Sequence, residues 1–298
     1  MKVRAWIPAV ALSVLTSTSV FAEKQVREEL RPAVRPASAP ATVGELLTRL
    51  QSREPRANVI ELEISTDSFI IPVAGNTAGS GGTYFRSDVM FNNDRLADQT
   101  IGIGWLAQGQ NNCSAPLQYF TLDSNSVTLA EDFVNRTLGK QGLGGVLVIG
   151  VDSVGALDDD AEIDGYSRIW TPQPGSPSGT TSQNFTAISV LDSVGSIPAT
   201  LMGLKQNAQF RTNIGVVNMD DTSAHTWTFR SIFTGTVTSV TVPACSMMLI
   251  GAAANSGSAT TGSVAFTVKT NDSGFWWSGF GSSTDNTTGD GWVSRAIQ

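Results

Sequence analysis

The stretch FRSDVMFNN, Phe85 to Asn93, returns in altered spelling as FRTNIGVVN, Phe210 to Asn218, and this doubling restricts the fold more than any other feature of the chain. Phe85, Ser87, Val89 and Phe91 match Phe210, Thr212, Ile214 and Val216, while Arg86 and Asp88 match Arg211 and Asn213. That is a period of two. Successive side chains of a strand point to opposite faces, so the first set is expected on a core and the second set outside, as a same-face polar pair. A duplicated strand motif in a chain of 298 residues predicts two similar domains.

Around each motif the chain spells several short strands with Gly, Ser, Thr and Asn between them. Phe69, Ile70, Ile71 and Val73 open the first copy; Ile101, Ile103 and Trp105 alternate after its motif, as Trp227, Phe229 and Ser231 do in the second. Apolar runs follow at Val146 to Val151 and at Val264 to Val268, then aromatic strands at Gly165 to Trp170 and at Phe275 to Phe280. Leu129 to Gly139 offers one or two helical turns. The expected class is all-β: two tandem immunoglobulin-like antiparallel β-sandwiches with a short N-terminal helix. The divisions are residues 1–22 as a signal peptide, 23–63 as spacer and helix, 64–190 as the first copy and 191–298 as the second.

The leader is read from Lys2 and Arg4, the apolar stretch Ala5 to Leu15, and the small-residue end at Ala22. Glu23 to Ala41, with Pro32, Pro36 and Pro40, reads as an extended and poorly folded spacer. Thr42 and Glu45 have capping-box spacing, and Leu46, Leu47 and Leu50 then share one side of a helix ending near Ser52. No later segment has the roughly 20 apolar residues of a spanning helix. The expected address is export, to the periplasm, the cell surface or the medium. Beyond Ile64 ten Lys or Arg stand against nineteen Asp or Glu, a balance that disfavours a nucleic-acid partner.

The paired motifs, together with YSRIWTPQPG, LKQNAQFRTNIGVVN and STDNTTGD, resemble a family of secreted bacterial tandem β-sandwich proteins, from about Phe69 onward. The resemblance implies fold and export, and no substrate, because the family has no established activity. The first copy departs from it in the insertion DDDAEIDG.

Candidate sites are few. The single histidine, His225, has no nucleophile paired with it in sequence and reads as a surface residue, and one His with two separated Cys cannot supply a zinc ligand set. Asp160, Glu162 and Asp164 before Gly165 imitate the opening of a calcium loop, although Thr171 replaces the closing Glu of an EF-hand; the competing reading is a hairpin with solvated acids. Trp276 and Trp277 must point to opposite faces, so one is free for stacking on a sugar, extended by Phe280, or for contact with the neighbouring domain. Cys113 and Cys245 either bridge the two copies or remain one buried and one loop thiol; Cys245 aligns with Asn125 and not with Cys113. No cofactor is expected unless the acidic loop takes calcium. The reading of the whole is a non-catalytic exported binding, adhesion or structural protein, not an enzyme, meeting a protein or glycan at the cell envelope. The alternatives are a carbohydrate-active enzyme or accessory module and a self-assembling surface protein.

Overall fold

The computed structural model describes residues 24–52, 66–79, 82–173, 178–190, 198–251 and 262–297; the expected leader lies outside them. An N-terminal segment carries β1 (Gln25–Arg27), β2 (Arg31–Pro32) and helix α1 (Val43–Gln51). A first unit follows with β3 (Ser68–Ala78), β4 (Tyr84–Asn93), β5 (Gln99–Ala107), β6 (Gln118–Leu122), β7 (Ser126–Ala130), α2 (Phe133–Arg136), β8 (Gly142–Val151), β9 (Ile163–Pro172), β10 (Thr180–Thr186) and β11 (Ile188–Ser189). A second holds β12 (Ala199–Lys205), β13 (Phe210–Asn218), β14 (His225–Ser231), β15 (Val237–Val242), β16 (Ser246–Gly251), β17 (Ser263–Thr270), β18 (Trp277–Asp285) and β19 (Gly291–Arg295). The protein is all-β with two short helices among the described residues.

In the first unit one layer runs β7-β4-β9-β10 and the other β3-β8-β5-β6; in the second the layers run β16-β13-β18-β19 and β12-β17-β14-β15. The relative order is the same in both. The first unit differs from a sandwich of two separate sheets, because Thr77 and Ala78 at the end of β3 pair with Phe85 and Tyr84 of β4 and join the layers into one curled, eleven-stranded sheet. Length and a bulge allow this. β3 has eleven residues, and its register with β8 shifts between Ile71 and Ala74, where Pro72 has no N–H to give the ladder.

The period-two pattern places the core. Ser87, Val89 and Phe91 of β4 are buried with Phe69, Ile71 and Phe133, while Thr212, Ile214 and Val216 of β13 are buried with Trp227, Phe229 and Trp277. Phe133, Val134 and Leu138, on and just after α2, cap the first core as the sequence suggests. The outward set of the second copy stays outside at Arg211 but not further along: Val217 is fully buried in the same apolar cluster as the first unit's core, with Met219, Met247 and Phe280. The outer face of β13 and β18 is therefore the joint between the units.

The N-terminal segment is not a loose spacer. β1 pairs in parallel along β7 and β2 pairs antiparallel to β6, so the segment covers one edge of each layer of the first unit. Leu30 and Ala39 are buried beneath it, and Arg27 and Arg31 pair with Asp123. Helix α1 is capped as its sequence implies, with Glu45 N donating to Thr42 Oγ1 at 3.2 Å and Glu45 Oε2 accepting from Ala41 N at 2.7 Å. Its Val43, Leu46, Leu47 and Leu50 are buried in the first unit's core, and Gln51 Nε2 reaches Met219 O of the second unit at 3.1 Å.

Candidate functional site

The aromatic platform expected at the end of the chain is not a surface. Trp277 lies in the second core against Trp227, ring centroids 6.0 Å apart, and Phe280 is wholly buried at the joint, edge-on to Phe185 at 6.1 Å. Trp276, half-buried, packs against the first unit's core cluster. The two neighbours do face opposite ways. What takes the second ring is the apolar cluster that the two units share, which leaves Trp276, Trp277 and Phe280 no common face for a sugar.

The acidic loop is not gathered round a cation. Asp158, ahead of the proposed ligands, accepts from Asp160 N through Oδ1 and pairs with Arg95 Nη1 through Oδ2 at 2.7 Å. Asp160 and Glu162 are exposed, whereas Asp164 sits within the extended β9, its Oδ1 accepting from Gly165 N at 2.7 Å. Burial pushes the Asp164 carboxyl above the usual range; the Gly165 N–H opposes the shift and the nearby Asp94 adds to it. Because Glu162 and Asp164 belong to a straight run into β9, they do not curl toward Asp160. Among the described residues no group of three His, Cys, Asp or Glu is placed to hold a metal ion.

The expected same-face ion pair of Arg86 with Asp88 also gives way. Across the β4–β9 ladder Asp88 lies opposite Arg168, 3.8 Å from its Nη1, and Arg86 lies opposite Trp170. Direct cross-strand neighbours are nearer than residues two apart along one strand, so the ladder decides the partner.

Cys113 and Cys245 are bonded, with their Cα atoms 5.2 Å apart. The bridge ties the β5–β6 connection of the first unit to the start of β16 in the second. His225 is not the surface residue expected from the sequence. Its Nδ1 is 2.8 Å from Asp272 Oδ2 and its Nε2 2.9 Å from Asp220 Oδ2, and its ring stacks on Phe275 at 3.7 Å. Asp220 loses solvation there, which raises its pKa, but hydrogen bonds from His225, Thr222 and Ser223 outweigh this and hold the carboxyl below its ordinary range. With both ring nitrogens engaged, this group clamps the loop before β14 to the one after β17.

One feature that gathers chemistry from both units is a cleft at the joint, about 290 Å³ in volume. Val73, Phe85 and Leu249 are among its apolar lining residues, and Gln183, Arg211 and Asn213 among its polar ones. Phe85 belongs to the first copy of the strand motif and Arg211 and Asn213 to the second. Arg211 is exposed and its Nη1 donates to Asn286 Oδ1 at 2.8 Å, while Gln183 Nε2 donates to Thr284 Oγ1 at 2.6 Å and to Ser283 O at 3.2 Å, spanning the two units. Gly289, at φ 80°, backs onto Thr181 so closely that a Cβ there would stand 2.4 Å from its methyl carbon. Sequence reasoning missed this site because its walls lie about a hundred residues apart and meet only at the joint.

These features define an all-β protein with a cleft lined by both apolar and hydrogen-bonding side chains. No family model, no curated protein and no solved structure matches the chain.

Proposed function

We propose that the chain is an exported, non-catalytic binding protein made of two immunoglobulin-like copies, and that its ligand enters the cleft between them. The observation that carries this reading is the cleft's composition: both copies of one strand motif line it, the first with an aromatic ring and the second with a guanidinium and an amide. Pockets of this build, at domain junctions and with few convergent polar groups, are the usual places for small ligands. Its described lining has no His, Cys, Asp or Glu, which suits binding better than proton transfer. Export is supported by the Cys113–Cys245 bridge, a bond that persists in oxidising compartments.

The cleft favours a molecule with an apolar body and an anionic or carbonyl end for Arg211. The test is thermal unfolding of the full chain against a panel of amphipathic carboxylates and short oligosaccharides. A true ligand raises the melting temperature of the wild type and leaves Arg211→Ala and the cleft-filling Leu249→Trp unmoved. A rise that survives both substitutions overturns the assignment.

Self-assembly is a second reading with its own observation. Among the described residues no strand pairs along the outer edge of β15, and Ile232, Phe233 and Val237 beside it are about half exposed. A mass that rises with concentration, and stops rising in Phe233→Asp, is the expected sign.

A further inference from the structure

We propose that the outer face of the β7-β4-β9-β10 layer is a second binding site, for an anionic polysaccharide whose pyranose rings carry carboxylates. Register puts the side chains there. Arg86 lies opposite Trp170 and Asp88 opposite Arg168 on β9; on β10, Ser182 lies opposite Trp170 and Asn184 opposite Arg168. Residues directly opposite share a face, so Tyr84, Arg86, Trp170 and Arg168 form a ladder of alternating rings and cations. The Arg86 guanidinium carbon is 5.3 Å from the Tyr84 ring centre and 5.9 Å from that of Trp170, and the Arg168 guanidinium is 5.9 Å from Trp170.

Contact through a ring's face fixes a guanidinium without using its N–H groups, which lie in the guanidinium plane and stay available to a planar anion. Arg168 spends part of its capacity, pairing with Asp88 and donating to Thr180 Oγ1 at 2.7 Å. Arg86 is the donor left for a carboxylate. Tyr84 supplies an exposed apolar face on which the C–H side of a sugar ring rests, Trp170, with both guanidinia against its ring, holds Arg86 and Arg168 in place, and exposed Asn184 supplies an amide at the rim.

The corresponding face of the second unit shows what the fold itself requires. There Arg211 lies opposite Thr284 and Asn213 opposite Ser282, where the first unit has Trp170 and Arg168. Further along, Val217 and Phe280 are covered by the first unit. The aromatic and second cationic positions are thus dispensable to the layer, and they occur on the copy whose face is open. The face sets Arg86 and Arg168 against Asp88 and Asp164, and its positive end is at Arg86, which lies opposite Trp170 while Asp88 lies opposite Arg168.

The test is affinity electrophoresis of the full chain through gels containing polygalacturonate, neutral amylose or no polymer, with single-stranded DNA as a separate competitor. Polygalacturonate is expected to retard the wild type, less so as salt rises, with affinity falling roughly tenfold in Arg86→Gln. Asn184→Asp, a change at an exposed rim position, is expected to weaken retardation as well, which keeps the test decisive if Arg86→Gln disturbs the sheet. Arg211→Ala in the cleft leaves retardation unchanged, so failure here is separable from failure of the cleft assignment. The proposal is overturned by equal retardation in amylose, by DNA displacing the polymer at lower concentration than free polygalacturonate does, by indifference to both face variants, or by no retardation.

Discussion

The last residue of each strand motif shows why the motif is written twice. Asn93 Nδ2 donates to the carbonyls of Ala97, Leu122 and Asp123, and its Oδ1 accepts from Arg95 N. Asn218 does the same one unit later: Nδ2 to the carbonyls of Ser223, Val242 and Pro243, Oδ1 from Asp220 N. Both side chains are fully buried and fasten two turns at once. Replacing either by Ala strands several buried carbonyls and is expected to cost about 2–3 kcal/mol in denaturant unfolding, against a few tenths for Asn92→Ala. The turn held this way puts Asn125 at φ 44° and Cys245 at φ 49°, so the two residues that align in the sequence share a left-handed backbone position. Asp220 adds a pH dependence. A depressed carboxylate stabilises the fold above its ordinary range and loses that contribution as pH falls through its folded value. Melting curves of the wild type and Asp220→Asn should therefore differ at neutral pH, begin to approach one another below about pH 4 and meet only once pH has fallen below the depressed folded value.

At the level of elements, what was legible is what alternates. A strand with one face on a core writes its burial into every second residue, as β4 does, and a capped helix writes a period near four, as α1 does. β1 and β2 are three and two residues long, too short to carry a period, and Pro32, Pro36 and Pro40 made the segment look free. Its docking rests on partners distant in sequence. One is Tyr119, whose hydroxyl donates to Pro40 O at 2.5 Å and whose pKa burial pushes up to about 12. Removing that hydroxyl in Tyr119→Phe leaves the Pro40 carbonyl without its donor and is expected to cost about 1 kcal/mol. Leu46 is fully buried, so Leu46→Ala should cost about 2–5 kcal/mol. A helix that merely frayed or waited for a partner would make that change neutral, and chemical denaturation decides between the two.

For the whole molecule the question is whether one disulfide or a shared core unites the units. Val217, Met219, Met247 and Phe280 from the second unit belong to the first unit's apolar cluster, and Gly109 N donates to Met247 O at 3.0 Å, Asn112 Nδ2 to Cys245 O at 2.9 Å and Ser246 Oγ to Ala107 O at 3.0 Å. The sequence hid this because the joint falls on outward positions of β13 and β18, where Gly215, Val217 and Phe280 read as ordinary strand residues until a neighbour covers them. The disulfide closes a separation of 132 residues, worth about 5 kcal/mol in the chain-entropy model. Cys113→Ala with Cys245→Ala should therefore lower the melting temperature by roughly 10 °C yet leave one calorimetric transition, because the core still couples the units. Val217→Asp in the oxidised protein should do the reverse, placing a charge in that core while the bridge stays closed. Two transitions are then expected, from units that remain tethered but unfold separately. A single transition in Val217→Asp and two in the cysteine variant would make the bridge, and not the shared core, the element that unites the molecule.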